Sequence, residues 1–95
     1  MNKEEKKFFK KSILHFGTDV QMTMCIEECA ELIQAISKFK RGKKNAIDNL
    51  LEEIADVQIM LDQMKLMFDN DDERISLIRT QKLNRLKSII DDQNK

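Results

Sequence analysis

Residues 22–36, MTMCIEECAELIQAI, and residues 49–64, NLLEEIADVQIMLDQM, decide how this chain is read. Both repeat apolar side chains at helical spacing, and both set carboxylates among them. The first carries Glu27, Glu28 and Glu31; the second carries Glu52, Glu53 and Asp56. A helix turns about 100° per residue, so Glu28 and Glu31 adjoin on one face, and Glu53 and Asp56 repeat that i, i+3 geometry. Antiparallel packing of the two helices would bring four carboxylates together in mostly apolar surroundings. Like charges held that close destabilise one another unless a cation binds them or some are protonated. Oxygen-only ligands select a hard divalent ion, Mg²⁺ or Mn²⁺.

The plainer alternative is that these acids solubilise exposed faces, as most helical Glu and Asp do. Against it, none has a Lys or Arg partner at i+4: Glu27 meets Glu31, Glu28 meets Leu32, Glu53 meets Val57 and Asp56 meets Met60. A solvated face usually interleaves charges of both signs.

Working outward, four helices are expected, at about 2–16, from 18 or 19 to 39 or 40, 46–69 and 72–91. Gly17 stops the first, Thr18 or Asp19 caps the second, Gly42 ends it, Asn45 caps the third, and the acidic run Asp69 to Asp72 caps the fourth. The expected core stripe of the second helix is Met22, Cys25, Ile26, Cys29, Leu32, Ile33 and Ile36. That of the third is Ile47, Leu50, Leu51, Ile54, Val57, Leu61, Met64 and Phe68. Both helices are also apolar outside these stripes, at Met24, Ala35, Met60 and Met67 among others, which implies neighbours on two sides and hence a homo-oligomer.

The 95 residues form a single domain, 1–95, with no linker or repeat to divide them. Seventeen basic residues balance seventeen acidic ones, leaving no global field to favour nucleic acid or an anionic membrane. No apolar run approaches the ~20 residues of a membrane span, and no apolar export segment follows the lysine-rich start. Cys25 and Cys29, one helical turn apart and without further ligands, read as small core residues of a reduced, cytoplasmic protein. The absence of Pro, Trp and Tyr, with two Gly, fits an all-α fold. Ferritin-like redox sites need Glu-x-x-His on two helices, and the single histidine, His15, makes no such motif. What an all-oxygen divalent site does well is bind phosphate oxygens and activate water.

Glu27-Glu28-x-x-Glu31, a gap of 21 residues, then Glu53-x-x-Asp56 resembles the signature of the all-α nucleoside triphosphate pyrophosphohydrolases. The closest resemblance is to short MazG-like members, many of them from bacteria and phages. IEECAELIQAISKFKRGK, then NLLEEIADVQIMLDQM, is similar to the family core in order and spacing, and KLNRL at 82–86 resembles its fourth-helix element. Roughly residues 18–90 are covered. The resemblance implies a four-helix MazG-like bundle, completed as a homodimer or homotetramer, that hydrolyses a (deoxy)nucleoside triphosphate to monophosphate and pyrophosphate with Mg²⁺. It makes Glu28, Glu31, Glu53 and Asp56 metal ligands, and Glu27 a further ligand or the group that orients the attacking water. It sets Lys82 and Arg85 against phosphate oxygens, the alternative being a basic outer face. His15, Phe16 and Gln21 are the candidates for holding the base; otherwise His15 and Phe16 pack at the helix end and Gln21 is exposed. Two other readings stand beside this one: a helical adaptor whose apolar faces dock another protein, and a relative that binds nucleotides without turning them over.

Overall fold

In a computed structural model, which describes residues 1–94, the chain forms four helices: α1 (Lys3–Phe16), α2 (Thr18–Lys40), α3 (Ala46–Phe68) and α4 (Glu73–Gln93). The described residues contain no strand, so the protein is all-α. No helix is long and apolar enough to cross a membrane.

Helix α1 begins where Asn2 Oδ1 accepts the Glu5 backbone N–H at 2.8 Å and ends at Gly17. With φ 91° and ψ 152°, Gly17 occupies a region essentially closed to residues with a Cβ. It also serves as the N-cap of α2, so neither Thr18 nor Asp19 does; the cap makes no side-chain hydrogen bond. One residue therefore joins two helices and folds α1 back onto the others. At the far end of α2, the N–H of Lys43 donates to Lys38 O and that of Gly42 to Phe39 O. With Gly42 at φ 73°, this is the paired closure by which a glycine ends a helix.

The expected side-chain cap of the third helix, Asn45, is corrected, while the acidic run expected to cap the fourth does so through its first residue. Asn45 and Asp72 stand at the N-cap positions, but both have left-handed backbones (φ 61° and 56°) and neither side chain caps its helix. A left-handed residue aims its side chain away from the first-turn N–H groups. At α4 the task passes to Asp69, whose Oδ2 accepts the Ile75 N–H at 2.8 Å, while Asp72 Oδ2 accepts from Ser76 Oγ at 3.2 Å.

Extensive packing is confined to α1, α2 and α3, and the α2–α3 hairpin carries most of it. Along α2 Gln21, Cys25, Glu28, Leu32 and Ala35 are among the less exposed positions, with Met22 and Cys29 beside them; along α3 they include Ala46, Leu50, Glu53, Val57 and Met60. Both sets step by three and four, the spacing of a seam between nearly antiparallel helices. The stripes expected from hydrophobicity are displaced in part: Met22, Cys25, Cys29, Leu32, Leu50, Val57 and Met64 are buried or half-buried as expected, and the others are not. Ile26 and Ile33 are 69% and 67% exposed, and Ile36, Ile47, Leu51, Ile54, Leu61 and Phe68 are exposed as well. Met60, Ala35 and Leu66, outside those stripes, are buried. The helices close on the side that bears the carboxylates, leaving the more apolar sides uncovered within one chain.

A buried amide pair fixes the register of this hairpin. Gln21 and Gln63 are each 4% exposed. Gln21 Nε2 donates to Gln63 Oε1 at 2.5 Å and to Ser12 Oγ at 3.1 Å, tying α1, α2 and α3 together. A buried amide that loses its partner costs about 1–3 kcal/mol, whereas removing both partners can be nearly neutral. Accordingly, Gln21→Leu and Gln63→Leu should each destabilise the fold by about that amount, and the double variant by clearly less than their sum. Urea denaturation of all four proteins measures the coupling.

No α4 residue is buried. The radius of gyration is 16.6 Å, against about 12–13 Å for a compact domain of this length. The principal extents, 50 × 38 × 22 Å, describe a three-helix body with an arm.

Candidate functional site

The register set by Gln21 and Gln63 determines what happens two turns further along. Seven residues on from Gln21 is Glu28, and seven back from Gln63 is Asp56, so those two face each other across the hairpin. Glu53, one turn from Asp56, reaches the same place. One carboxylate oxygen from each of Glu28, Glu53 and Asp56 lies within 4.8 Å of the other two. Glu28 and Glu53 are half-buried in the seam, and Asp56 stands exposed at its mouth. Glu31 is exposed beside them, close enough to raise the pKa of both Glu28 and Glu53 through its charge and a side-chain hydrogen bond.

This arrangement is electrostatically uncompensated. Glu28 Oε2 and Glu53 Oε2 are shut off from solvent and have no hydrogen-bond partner. Burial first, then the charges of Glu31, Asp56 and Glu53, push the Glu28 carboxyl up to about 6 from its ordinary 4.5. Burial also raises Glu53, followed by Glu31 and Asp56. No Lys or Arg contributes to either shift. The helical hairpin thus holds acids where folding alone gains nothing by having them, since a leucine at position 28 or 53 would suit the seam better.

A pH dependence follows. The folded state raises the Glu28 pKa, so it binds more protons than the unfolded chain between pH 4.5 and about 6. Its contribution to stability is then full below about 4.5 and falls as pH rises through 6. In chelator, the urea midpoint should drop across that interval, and Glu28→Gln should flatten the drop. A midpoint that rises over the same range contradicts the geometry described.

The remaining candidates lie elsewhere. Glu27 is exposed on α2 and stands outside the carboxylate triad. Lys82 and Arg85 are exposed on α4, a helix that packs extensively against neither α2 nor α3. His15 is exposed at the end of α1, edge-on to Phe16 with ring centroids 4.6 Å apart, and with Phe8, Lys11 and Ser12 it borders a shallow recess. Gln21 is buried rather than exposed, and about 10 Å along α2 from Glu28 by helix rise. Its partner, Gln63, was missed from sequence; the available signal was a lone amide inside the apolar run IMLDQMKLMF. Cys25 and Cys29 are free thiols, one buried and one half-buried.

The residues present therefore define an all-α protein with a carboxylate cluster set in a helical seam. Comparison of the chain with protein-family models, with curated proteins and with solved structures finds no match for it.

Proposed function

We propose that the protein is a divalent-metal-dependent nucleoside triphosphate pyrophosphohydrolase, cleaving between the α and β phosphates to give a monophosphate and pyrophosphate. The single observation that carries this reading is the pair of solvent-excluded, unpartnered oxygens on Glu28 and Glu53, with Asp56 and Glu31 beside them. An all-oxygen donor set of that kind fits Mg²⁺ or Mn²⁺. The resemblance of the two carboxylate motifs and of KLNRL to the MazG-like enzymes supplies the substrate class.

In this reading Glu28, Glu31, Glu53 and Asp56 hold the cation. A divalent ion supplies electrostatic stabilisation of phosphate oxygens and eases deprotonation of water. The chain's own contributions are distinct. The closed seam behind Glu28 and Glu53 keeps bulk water from two of the ligand oxygens, and Asp56 and Glu31 are exposed on the side from which a triphosphate would approach. The roles of the remaining residues rest on the family likeness alone: Glu27 orients a water from outside the cluster, Lys82 and Arg85 meet phosphate oxygens, and His15 and Gln21 contact the base. The enzyme works as a homodimer or homotetramer in the reducing cytoplasm, which suits its two free thiols.

The uncovered apolar sides of α2 and α3 favour a second reading, a helical adaptor that docks another protein. A panel of nucleoside triphosphates with Mg²⁺ and a pyrophosphate readout separates the two. Release of pyrophosphate from at least one nucleotide, lost in chelator, is the expected result. Silence across the panel, with a melting temperature indifferent to divalent ions, belongs to the adaptor.

A further inference from the structure

Sulfur gathers on one flank of the hairpin. Met22, Cys25 and Cys29 stand at i, i+3 and i+7 on α2, so one face of that helix presents all three. Met64 joins them from α3. The four line a single open groove, and the rest of its walls are aliphatic side chains. Both cysteines and two of the six methionines are thus collected in one place. The amide pair that sets the carboxylates sets this groove too. Because Gln21 bonds Gln63, their neighbours Met22 and Met64 stand at the same level of the hairpin.

The two thiols adjoin. Cys25 is buried and Cys29 half-buried, and both are free. Burial first, then the charge of Cys29 and a side-chain hydrogen bond with it, push the Cys25 thiol above its ordinary value. Cys29 and Glu31 are two residues apart, which turns them to nearly opposite sides of α2. The sulfur groove and the carboxylate cluster therefore occupy different flanks of the seam. Core packing explains a cysteine or methionine taken singly; here four of them share a groove that the chain leaves open.

The donor set selects the occupant. Thiolates and thioethers are soft and suit Cu(I). A zinc centre takes four thiolate, imidazole or carboxylate ligands, whereas the groove offers two cysteines and neither histidine nor acid. Magnesium and manganese need oxygen ligands, which no side chain of the groove supplies. We infer that the groove binds a single Cu(I) ion, with the Cys25 and Cys29 thiolates as primary ligands and the Met22 and Met64 thioethers flanking them. Binding breaks two S–H bonds, forms two S–Cu bonds and releases two protons to water, while the copper keeps its oxidation state. All four ligands belong to one chain, so no second copy is needed to complete the site.

Competition for Cu(I) tests it. The full chain is titrated against a coloured Cu(I) chelator under anaerobic, reducing conditions. The wild type should withdraw a single equivalent of Cu(I), with sulfur-to-copper absorption in the ultraviolet growing in step. Its affinity should rise with pH, because the thiols must lose their protons. Cys25→Ala/Cys29→Ala should withdraw none. Met22→Leu and Met64→Leu, which nearly conserve volume and so keep the fold, carry the test even if the cysteine variant does not fold. Each should lose about 10-fold or more in affinity, as removal of a group supporting primary ligands commonly does. A wild type that withdraws no copper overturns the site, and so does a folded cysteine variant that withdraws as much as wild type. Undiminished affinity in both methionine variants overturns it as well, since a bare thiol pair would then suffice. Glu28→Gln/Glu53→Gln should withdraw copper as the wild type does. That result from a protein that releases no pyrophosphate keeps the copper site and rejects only the enzymatic reading.

Discussion

Glu53→Gln is expected to abolish divalent-dependent pyrophosphate release while leaving the metal-free fold at least as stable as wild type. The two halves come from one cause. Glu53 has a solvent-excluded oxygen without a partner and a pKa raised by burial and by Glu31 and Asp56. An amide of the same shape removes a charge that the metal-free fold tolerates poorly, so repulsion across the seam falls. On the proposed reading it also removes one anionic ligand from a cation. Loss of supporting groups outside the ligand set commonly costs 10–100-fold, and loss of a ligand should exceed about a hundredfold. Turnover measured with saturating Mg²⁺, beside urea denaturation in chelator, reads both halves. A variant that is strongly destabilised without metal would show that Glu53 is paired structurally, contrary to the geometry.

The second large effect concerns the unmodified chain. Saturating Mg²⁺ or Mn²⁺ should raise its melting temperature substantially. A ligand at one hundred times its dissociation constant stabilises the folded state by about 2.7 kcal/mol. In a domain of this size each kcal/mol moves the transition by about 4–8 °C, so a rise of roughly 10–20 °C is expected. The rise should grow above pH 6, where Glu28 no longer needs to lose a proton to bind the ion. Monovalent salt at equal ionic strength should not reproduce it, which separates site binding from screening of exposed acids.

How much of this could be read from residues alone differs between levels. Helix existence and ends were legible because glycines at 17 and 42 and the Asp69–Asp72 run punctuate strong helical periodicity. The facing sides were not. Hydrophobicity pointed to Cys25 and Val57, which the hairpin does bury, but equally to Ile26, Ile33, Ile54 and Leu61, which it leaves exposed while closing on Glu28, Ala35 and Met60. A stripe that is apolar on two sides does not say which side meets its own chain, and a tie between sides can be decided by a polar pair such as Gln21–Gln63. Convergence of Glu28, Glu53 and Asp56 was legible, because i, i+3 acids without i+4 cations recur on successive helices. The position of Lys82 and Arg85 was not, since periodicity within α4 carries no information about the direction in which the Asp69–Asp72 turn sends it.

Manganese binding followed by electron paramagnetic resonance tests the central claim most directly, because it needs neither substrate nor turnover. Titrating Mn²⁺ into the wild type should quench the free-ion signal with saturable stoichiometry of at least one ion per chain. Glu28→Gln/Glu53→Gln, folded by circular dichroism, should leave that signal as it is in buffer. Equal binding by the two proteins, or none by either, would contradict a metal site in the seam.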